Sequence, residues 1–465
     1  MDTTPLAAQP RHAKPHRIWW GDHRTLLSTT ASLMGTTGIT TVLGVVFWWL
    51  AAQLVPVAAV GYGSAAVSAM MLVGTFGMAG LNTVLIGQLA RHPDNAGGLL
   101  AASLYASTLI SAVLAGGFLL IATVLLPHVA PYLADPEQSA IFVVGSGITG
   151  ATLVLDEALI GLLFGSVQLW RNAVFAVAKL AALAGLAVVL HERMGTGILE
   201  AWTVGTLVSA LPVAVLLRRR GMRMMAAPQW KALRNLGRSS LNNTWLNNAL
   251  QAPRLALPMI VTGLVSATAS GAFYVAWTIV VITSLIPHHF TTALYAVGSA
   301  DPRGLAAKLR VTLRISMLGG LLGVPLLIVI AHPLLQLFGS AYASDATTPM
   351  QILLLGYFGS VVKNHYIALC RVHEQITRAA RYATVTCVAR LAGTATGALL
   401  DGLRGLSIAL LIVMCAEGIA VLPAVWAAAR EKGRRPHPRE SQHRRPRRPD
   451  TATSNNNEGG VHAGT

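Results

Sequence analysis

Long apolar stretches separated by short polar ones run through most of the chain, and their length decides how the pattern is read. A window of about 19 residues finds twelve of them, at 27–53, 60–88, 97–126, 139–166, 172–191, 196–217, 239–265, 269–297, 311–337, 347–370, 376–399 and 404–428. Each is long enough to cross a bilayer as a helix, which takes about 20 residues. The pattern therefore predicts an all-α polytopic membrane protein of about 12 transmembrane helices. Its polar interruptions divide the chain into a basic leader (1–26), a first six-helix bundle (27–217), a basic linker (218–238), a second six-helix bundle (239–428) and a basic tail (429–465). The tail is rich in Arg, Pro and polar residues, cannot bury a core, and is expected to be disordered.

Composition agrees with a membrane protein and disagrees with a soluble one. Of 465 residues, 54% are hydrophobic and 11% charged, with a mean hydropathy of +0.57, against about 25% charged in an ordinary soluble domain. The net charge of +17 would suggest nucleic acid in a soluble protein, but its distribution says otherwise. If the N-terminus is cytoplasmic, and residues near a span end are counted with the adjoining loop, 29 of the 35 Lys and Arg fall on the cytoplasmic side, Arg193 and Arg404 alone fall outside, and Lys179, Arg254, Lys363 and Arg390 lie deeper within spans. This bias puts both termini on the cytoplasmic side of the cell membrane and removes any need for a nucleic-acid partner. The N-terminal segment leads into the first span without a small-residue cleavage site, so it reads as a retained leader. The tail can rest on anionic headgroups, at about 1 kcal/mol per basic residue near the surface. Cys370, Cys387 and Cys415 sit in apolar stretches as small core residues.

Both halves begin inside and have six spans, so a repeat would be parallel, about an axis along the membrane normal. LNTVLIGQLARHPD from Leu81 aligns with FTTALYAVGSADPR from Phe290, and DEALIGLLFGSVQLWRNA from Asp156 with KNHYIALCRVHEQITRAA from Lys363.

Candidate chemistry lies with polar groups inside the spans, where an ionised side chain costs roughly 2.5–3.5 kcal/mol near the helix centre on insertion scales. Asp156 and Glu157 stand side by side in LVLDEALIG, about 100° apart around a helix, so only one can aim at a cavity. The other is expected to pair with Lys179 or to face an adjacent helix, since the predicted spans put the acids and Lys179 at similar depth. In span seven Asn243, Asn247 and Arg254 recur at helical spacing, a polar stripe that should line a cavity, and Pro253 and Pro258 are candidate kinks. Read structurally instead, Lys179 snorkels to the headgroups, Glu417 and Arg390 form a static pair, and the amides tie helices together. His288 and His289 read as polar lining, with no metal site. No GxxxxGK[ST], HExxH or GxSxG is present and no nucleophile stands beside a base, so the chain is expected to be neither an enzyme nor an ATP-driven pump, and to need no cofactor.

From Thr41 to Arg91 the sequence reads TVLGVVFWWLAAQLVPVAAVGYGSAAVSAMMLVGTFGMAGLNTVLIGQLAR: an apolar helix ending FW-x-LAA-x-L, a short VG loop, a Ser/Ala-rich helix, then G-LN-T-LI and a basic exit. This resembles the first two helices of polysaccharide-biosynthesis flippases in the multidrug/oligosaccharidyl-lipid/polysaccharide exporter superfamily. LDEALIGLLFGSVQLWRNAVFAVAKL is similar to their fourth and fifth helices. The resemblance implies a MATE-like fold, two six-helix bundles forming a V around a central cavity, and alternating access that carries a polyprenyl-pyrophosphate oligosaccharide between leaflets. It implies glycosyltransferases or a polymerase of the same pathway as partners. On that basis Arg254, Arg390, Lys363 and Lys179 are candidate pyrophosphate contacts, and Asn243 and Asn247 candidate sugar contacts. Asp156, Glu157 and Glu417 are the candidate ion-coupling acids, for H⁺ or Na⁺.

Three other readings compete. A cation-coupled multidrug or metabolite antiporter of the same superfamily would want more acid than base in its cavity. A major-facilitator transporter would carry a basic signature after span two, which QLARHPDNAGG lacks. A membrane-embedded glycosyltransferase or polymerase needs longer outer loops than Pro127 to Ser139 provides.

Overall fold

A computed structural model describes residue 38 and residues 40–430, apart from 82–84, 86–88, 90–95, 126–134, 163, 190–196, 220–227, 231–240 and 301–303. The leader, the tail beyond Arg430 and most of the linker lie outside the described residues. Those described are helical throughout, with no strand among them. The helices are α1 (Thr40–Leu54), α2 (Val57–Gly77), α3 (Ala96–Leu125), α4 (Pro136–Gly161), α5 (Gly165–Val189) and α6 (Gly197–Arg219) in the first half. In the second half come α7 (Leu241–Leu264), α8 (Ala267–Thr283), α9 (Leu285–Ala300), α10 (Leu305–Gln336), α11 (Ser340–Leu355), α12 (Tyr357–Val372) and the run Ile376–Arg430. Non-helical Asp401 and Gly402, the glycine at φ +50°, divide that run into α13 (376–400) and α14 (403–430).

By length and composition alone, eight described helices can cross a membrane, or nine if the pair α11 and α12, bent by 44° at Gly356, counts as one span. The remaining expected spans have physical reasons for falling short. The 55-residue run counts once although it turns back on itself, α7 carries Asn242, Asn243, Asn247, Asn248, Gln251 and Arg254, and the first part of span one lies outside the described residues. Span eight has a turn at Ser284 between α8 and α9 but still crosses as one 33-residue span, Ala267–Ser299, whereas span ten is bent. A break also ends α2, where Ala79 (φ +43°) and Gly80 (φ +92°) precede Leu81. Carried over at the alignment of Leu81 with Phe290, it falls at 288–289, a little more than one turn beyond Ser284.

Local chemistry marks the helix starts. Asp135 caps α4, accepting from the Glu137 amide at 3.1 Å with Pro136 in the first turn. Ser266 caps α8, accepting from the Ala269 amide at 3.0 Å. Such caps satisfy amides that have no partner inside the helix, at about 1 kcal/mol each.

In the first half α5 pairs with α6, and α4 packs on α3, α2 and α6. In the second, α7 and α12 pack on the 376–430 run, and α11 packs on α8 and α10. Contact between halves is carried by α2, which lies on both α7 and α8, and by α1. Trp49 Nε1 donates to the Leu337 carbonyl at 2.9 Å and Gln53 Nε2 to the same oxygen at 3.2 Å, in the turn between α10 and α11. Two glycines set the closeness of α2 and α8: a side chain on Gly61 would run into the Ala267 carbonyl, and one on Gly271 into that of Val57. The Trp49, Gln53, Gly61 and Gly271 contacts lie at the end bearing Val57, Ala267 and Leu337, while at the other end of α2 Gly80 lies against Thr244 of α7.

The close approach makes a prediction. Gly61→Val should destabilise the protein by about 1–3 kcal/mol, the usual cost of overpacking, read as a lower melting temperature in detergent. Gly117→Val should leave melting unchanged, because nothing lies within 4 Å of where its Cβ would be.

Candidate functional site

Asp156 is held by Arg171. The guanidinium spans both carboxylate oxygens, with Nε to Oδ1 at 2.7 Å, and also reaches Ser209 Oγ on α6 at 3.2 Å and Asn172 Oδ1 at 2.8 Å. Arg171 is only 5% exposed. The expected partnership of Asp156 or Glu157 with Lys179 does not form, and helix geometry explains why. Asp156 lies five residues before the end of α4 at Gly161, and Arg171 six residues after the start of α5 at Gly165, so the two are level. Lys179 is two further turns along α5, about 12 Å beyond Arg171 at 1.5 Å per residue. The sequence reading placed Arg171 in a loop because α5 begins seven residues before the predicted span. Glu157, half-buried, makes no hydrogen bond or ion pair among the described residues.

Lys179 does not reach a headgroup region. It is 4% exposed, and its ammonium faces three rings: Phe47 of α1 at 4.6 Å, Phe175 of α5 at 4.7 Å and Trp202 of α6 at 4.2 Å. Among the described residues no carboxylate pairs with it. Desolvated cation–π contacts contribute up to about 2 kcal/mol each, enough to offset the insertion cost of the charge. Trp48 packs edge-on against Phe47 at 5.2 Å and meets Tyr274 of α8 at 4.4 Å, so the aromatic group touches the second half.

In the second half Glu417 of α14 is shared by two cations. Arg390 of α13 grips both its oxygens at 2.6 Å, and Lys363 of α12 lies at 3.3 Å. The carboxylate is 2% exposed, and Tyr382 Oη donates to the Glu417 carbonyl at 2.9 Å. Arg390 and Glu417 thus form the static pair that was one of the two sequence readings, and the triad retains one positive charge.

The stripe on α7 leads to a second cationic group. Asn247 Oδ1 accepts from Arg371 Nη2 at 2.8 Å; Asn243, half-buried, sits one turn earlier and also has an interaction partner. Arg254 is two turns further on, its Nε buried without a hydrogen bond, as is the Nε of Arg371. Exposed His288 of α9 lies within electrostatic reach of both arginines, and its ring meets His289 edge-on at 5.9 Å. No group of three or more metal-ligating side chains occurs among the described residues. Pro253 and Pro258 leave α7 a single helix, and the Pro258 carbonyl accepts from Thr262 and Ser270. Arg371 was not among the residues singled out from the sequence, being counted as a loop cation. Its spacing of eight from Lys363, two turns on one face of α12, was the available signal.

The charge inventory follows. Asp156 is cancelled by Arg171 and Glu417 is outnumbered by Lys363 and Arg390, while Arg254 and Arg371 have no carboxylate partner among the described residues. Of the three candidate acids, Glu157 is the one with no cation among the described residues. Guanidinium groups with unused N–H donors suit a phosphate or pyrophosphate, which Arg binds bidentately.

Two helical halves of this kind, joined through α1 and α2, make an all-α polytopic membrane fold. No protein-family model matches the sequence, and no curated protein matches it either. Solved structures do resemble it. An inward-facing multidrug resistance MATE family transporter of the MOP superfamily is 15% identical over 85% of this chain and 96% of that one, with a TM-score of 0.68. An outward-facing structure described in the same terms is 15% identical over 88% and 97%, with a TM-score of 0.58. A MOP superfamily transporter from Pyrococcus furiosus, whose binding pocket is described as having reverse polarity suggesting a different function, is 14% identical over 88% and 97%, with a TM-score of 0.58. The chain has the MATE transporter fold.

The Asp156–Arg171 pair is open to direct test. Asp156→Asn should destabilise the protein by about 3–5 kcal/mol, because it strands a buried guanidinium. Asp156→Asn combined with Arg171→Gln should recover much of that loss. Thermal melting of the purified single and double variants reads the difference.

Proposed function

We propose that the protein is a secondary transporter that moves an anionic, lipid-linked substrate by alternating access, and that this substrate is a polyprenyl-pyrophosphate oligosaccharide destined for a cell-surface polysaccharide. The observation that carries the reading is the pair Arg254 and Arg371, each with a buried Nε lacking a hydrogen bond and no acid to neutralise it among the described residues. Such donors are costly to leave unsatisfied, and a pyrophosphate supplies the acceptors. The triad of Lys363, Arg390 and Glu417 adds a further positive charge on the same half. Asn243 and Asn247, on the same polar stripe of α7 as Arg254, are the candidate sugar contacts in this reading. The resemblance of the sequence to polysaccharide flippases points the same way.

Glu157 is the coupling acid in this reading. Its neighbour is locked by Arg171, so Glu157 is free to take H⁺ or Na⁺. The similarity is greater to the inward-facing structure than to the outward-facing one, which supports a state open toward the cytoplasm.

A second reading, a cation-coupled multidrug antiporter, draws on the relatives of the same fold that are described as multidrug resistance transporters. The Pyrococcus furiosus protein is an example of this fold with a pocket of reversed polarity, so the fold does not choose between them.

Reconstitution in vesicles decides. Wild-type protein should translocate a fluorescent polyprenyl-pyrophosphate-linked sugar, and Arg254→Gln with Arg371→Gln should slow it at least tenfold, since a hydrogen bond to a charged group contributes about 1.5–3 kcal/mol. Unchanged translocation by the double variant would sink the cationic-wall reading. Glu157→Gln should abolish dependence of the rate on a pH or Na⁺ gradient, whereas Asp156→Asn should affect stability. Export of an organic cation by wild type in place of the lipid would establish the antiporter reading.

A further inference from the structure

The group around Lys179 has the construction of a ligand site. Three aromatic faces from three helices surround one ammonium at 4.2–4.7 Å, and among the described residues no carboxylate pairs with it. Recognition of a cation by ring faces alone is the chemistry of sites for quaternary ammonium groups, which carry no N–H to donate. The walls are well supported. Phe47 is fully buried and Trp48, behind it, is 4% exposed. Trp202 is braced by Phe47 at 5.8 Å and Phe175 at 5.2 Å. Gly205 brings α6 against the Lys179 stem so closely that a Cβ there would fall 2.8 Å from the lysine Cβ. The lysine is thus clamped at its root while its ammonium fills the cage.

We propose that this cage is a binding site for an organic ammonium head and that Lys179 is its tethered occupant. The lysine side chain occupies the cage permanently, so organic cations are barred from this part of the transport path. A residue at the face where Trp48 meets Tyr274 of the other half is well placed to set the sign of charge that is accepted. The proposal concerns binding and not transport, so its failure would leave the anionic-substrate reading standing, and the reverse holds too.

The test uses tetramethylammonium as probe and the purified full-length protein in nanodiscs, with tryptophan fluorescence and melting temperature as readouts. Wild type should show no saturable response. Lys179→Ala, which removes tether and ammonium together, should bind the probe at least about tenfold more tightly than wild type and melt at higher temperature in its presence. Lys179→Ala with Trp202→Leu should lose the response, and Lys179→Arg, which refills the cage, should not acquire it. A folded Lys179→Ala variant indifferent to the probe, or a wild type that binds it equally well, overturns the proposal. A double-mutant cycle keeps the question open to decision if Lys179→Ala does not fold. The volume-conserving Lys179→Met and Trp202→Leu should be strongly non-additive in melting temperature if the ammonium is held by the ring. Additive shifts would overturn the cage.

Discussion

The whole arrangement depends on the cost of placing charge in hydrocarbon. An ionised side chain near mid-membrane is unfavourable by a few kcal/mol unless something nearby compensates it, and this protein compensates in three different ways. Asp156 and Glu417 are gripped by guanidinium groups on neighbouring helices. Lys179 is placed against ring faces instead of an acid. Arg254 and Arg371 are left with donor capacity unused, which is the arrangement expected of groups that meet a charged partner from outside the protein.

These choices are tied to how the helices pack. The Asp156–Arg171 pair spans the short connection between α4 and α5 and picks up Ser209 of α6, so one ionic contact holds three helices of the first half in register. The second half uses Glu417 similarly, drawing together α12, α13 and α14. Between the halves there is no ion pair among the described residues. Contact there rests on glycine-permitted backbone approach, on the Trp48–Tyr274 ring contact and on hydrogen bonds from Trp49 and Gln53. Interfaces of that kind separate without stranding a charge.

Similar accounting explains the breaks in the helices. Span eight carries a turn at Ser284 within one span and span ten bends by 44° at Gly356, whereas α4 is continuous. The acids of α4 thus sit on a rigid element. The cations Lys363 and Arg371 lie on α12, beyond a bend, and His288 lies on α9, beyond a turn.

Much of the fold was legible in the sequence because hydrophobic length is a local property. The spans, their number and the polar stripe on α7 follow from apolar runs of bilayer length and from helical spacing. The sequence alone also showed that ionisable residues lie within spans and therefore need partners. It did not show which partners. Asp156 met Arg171 and not Lys179 because α5 starts at Gly165, seven residues before its predicted apolar core, and a two-turn error in depth is enough to exchange one cation for another. The aromatic cage was invisible for a related reason: Phe47, Phe175 and Trp202 are ordinary apolar residues of three separate spans, and only packing brings their faces around one ammonium. Sequence by itself identified most of the charged groups inside the membrane and what each would cost there, although it left Arg171 and Arg371 in loops. Tertiary structure decided which were neutralised, which were enclosed and which were left open, because those outcomes depend on relative helix depth and rotation, which no single segment encodes.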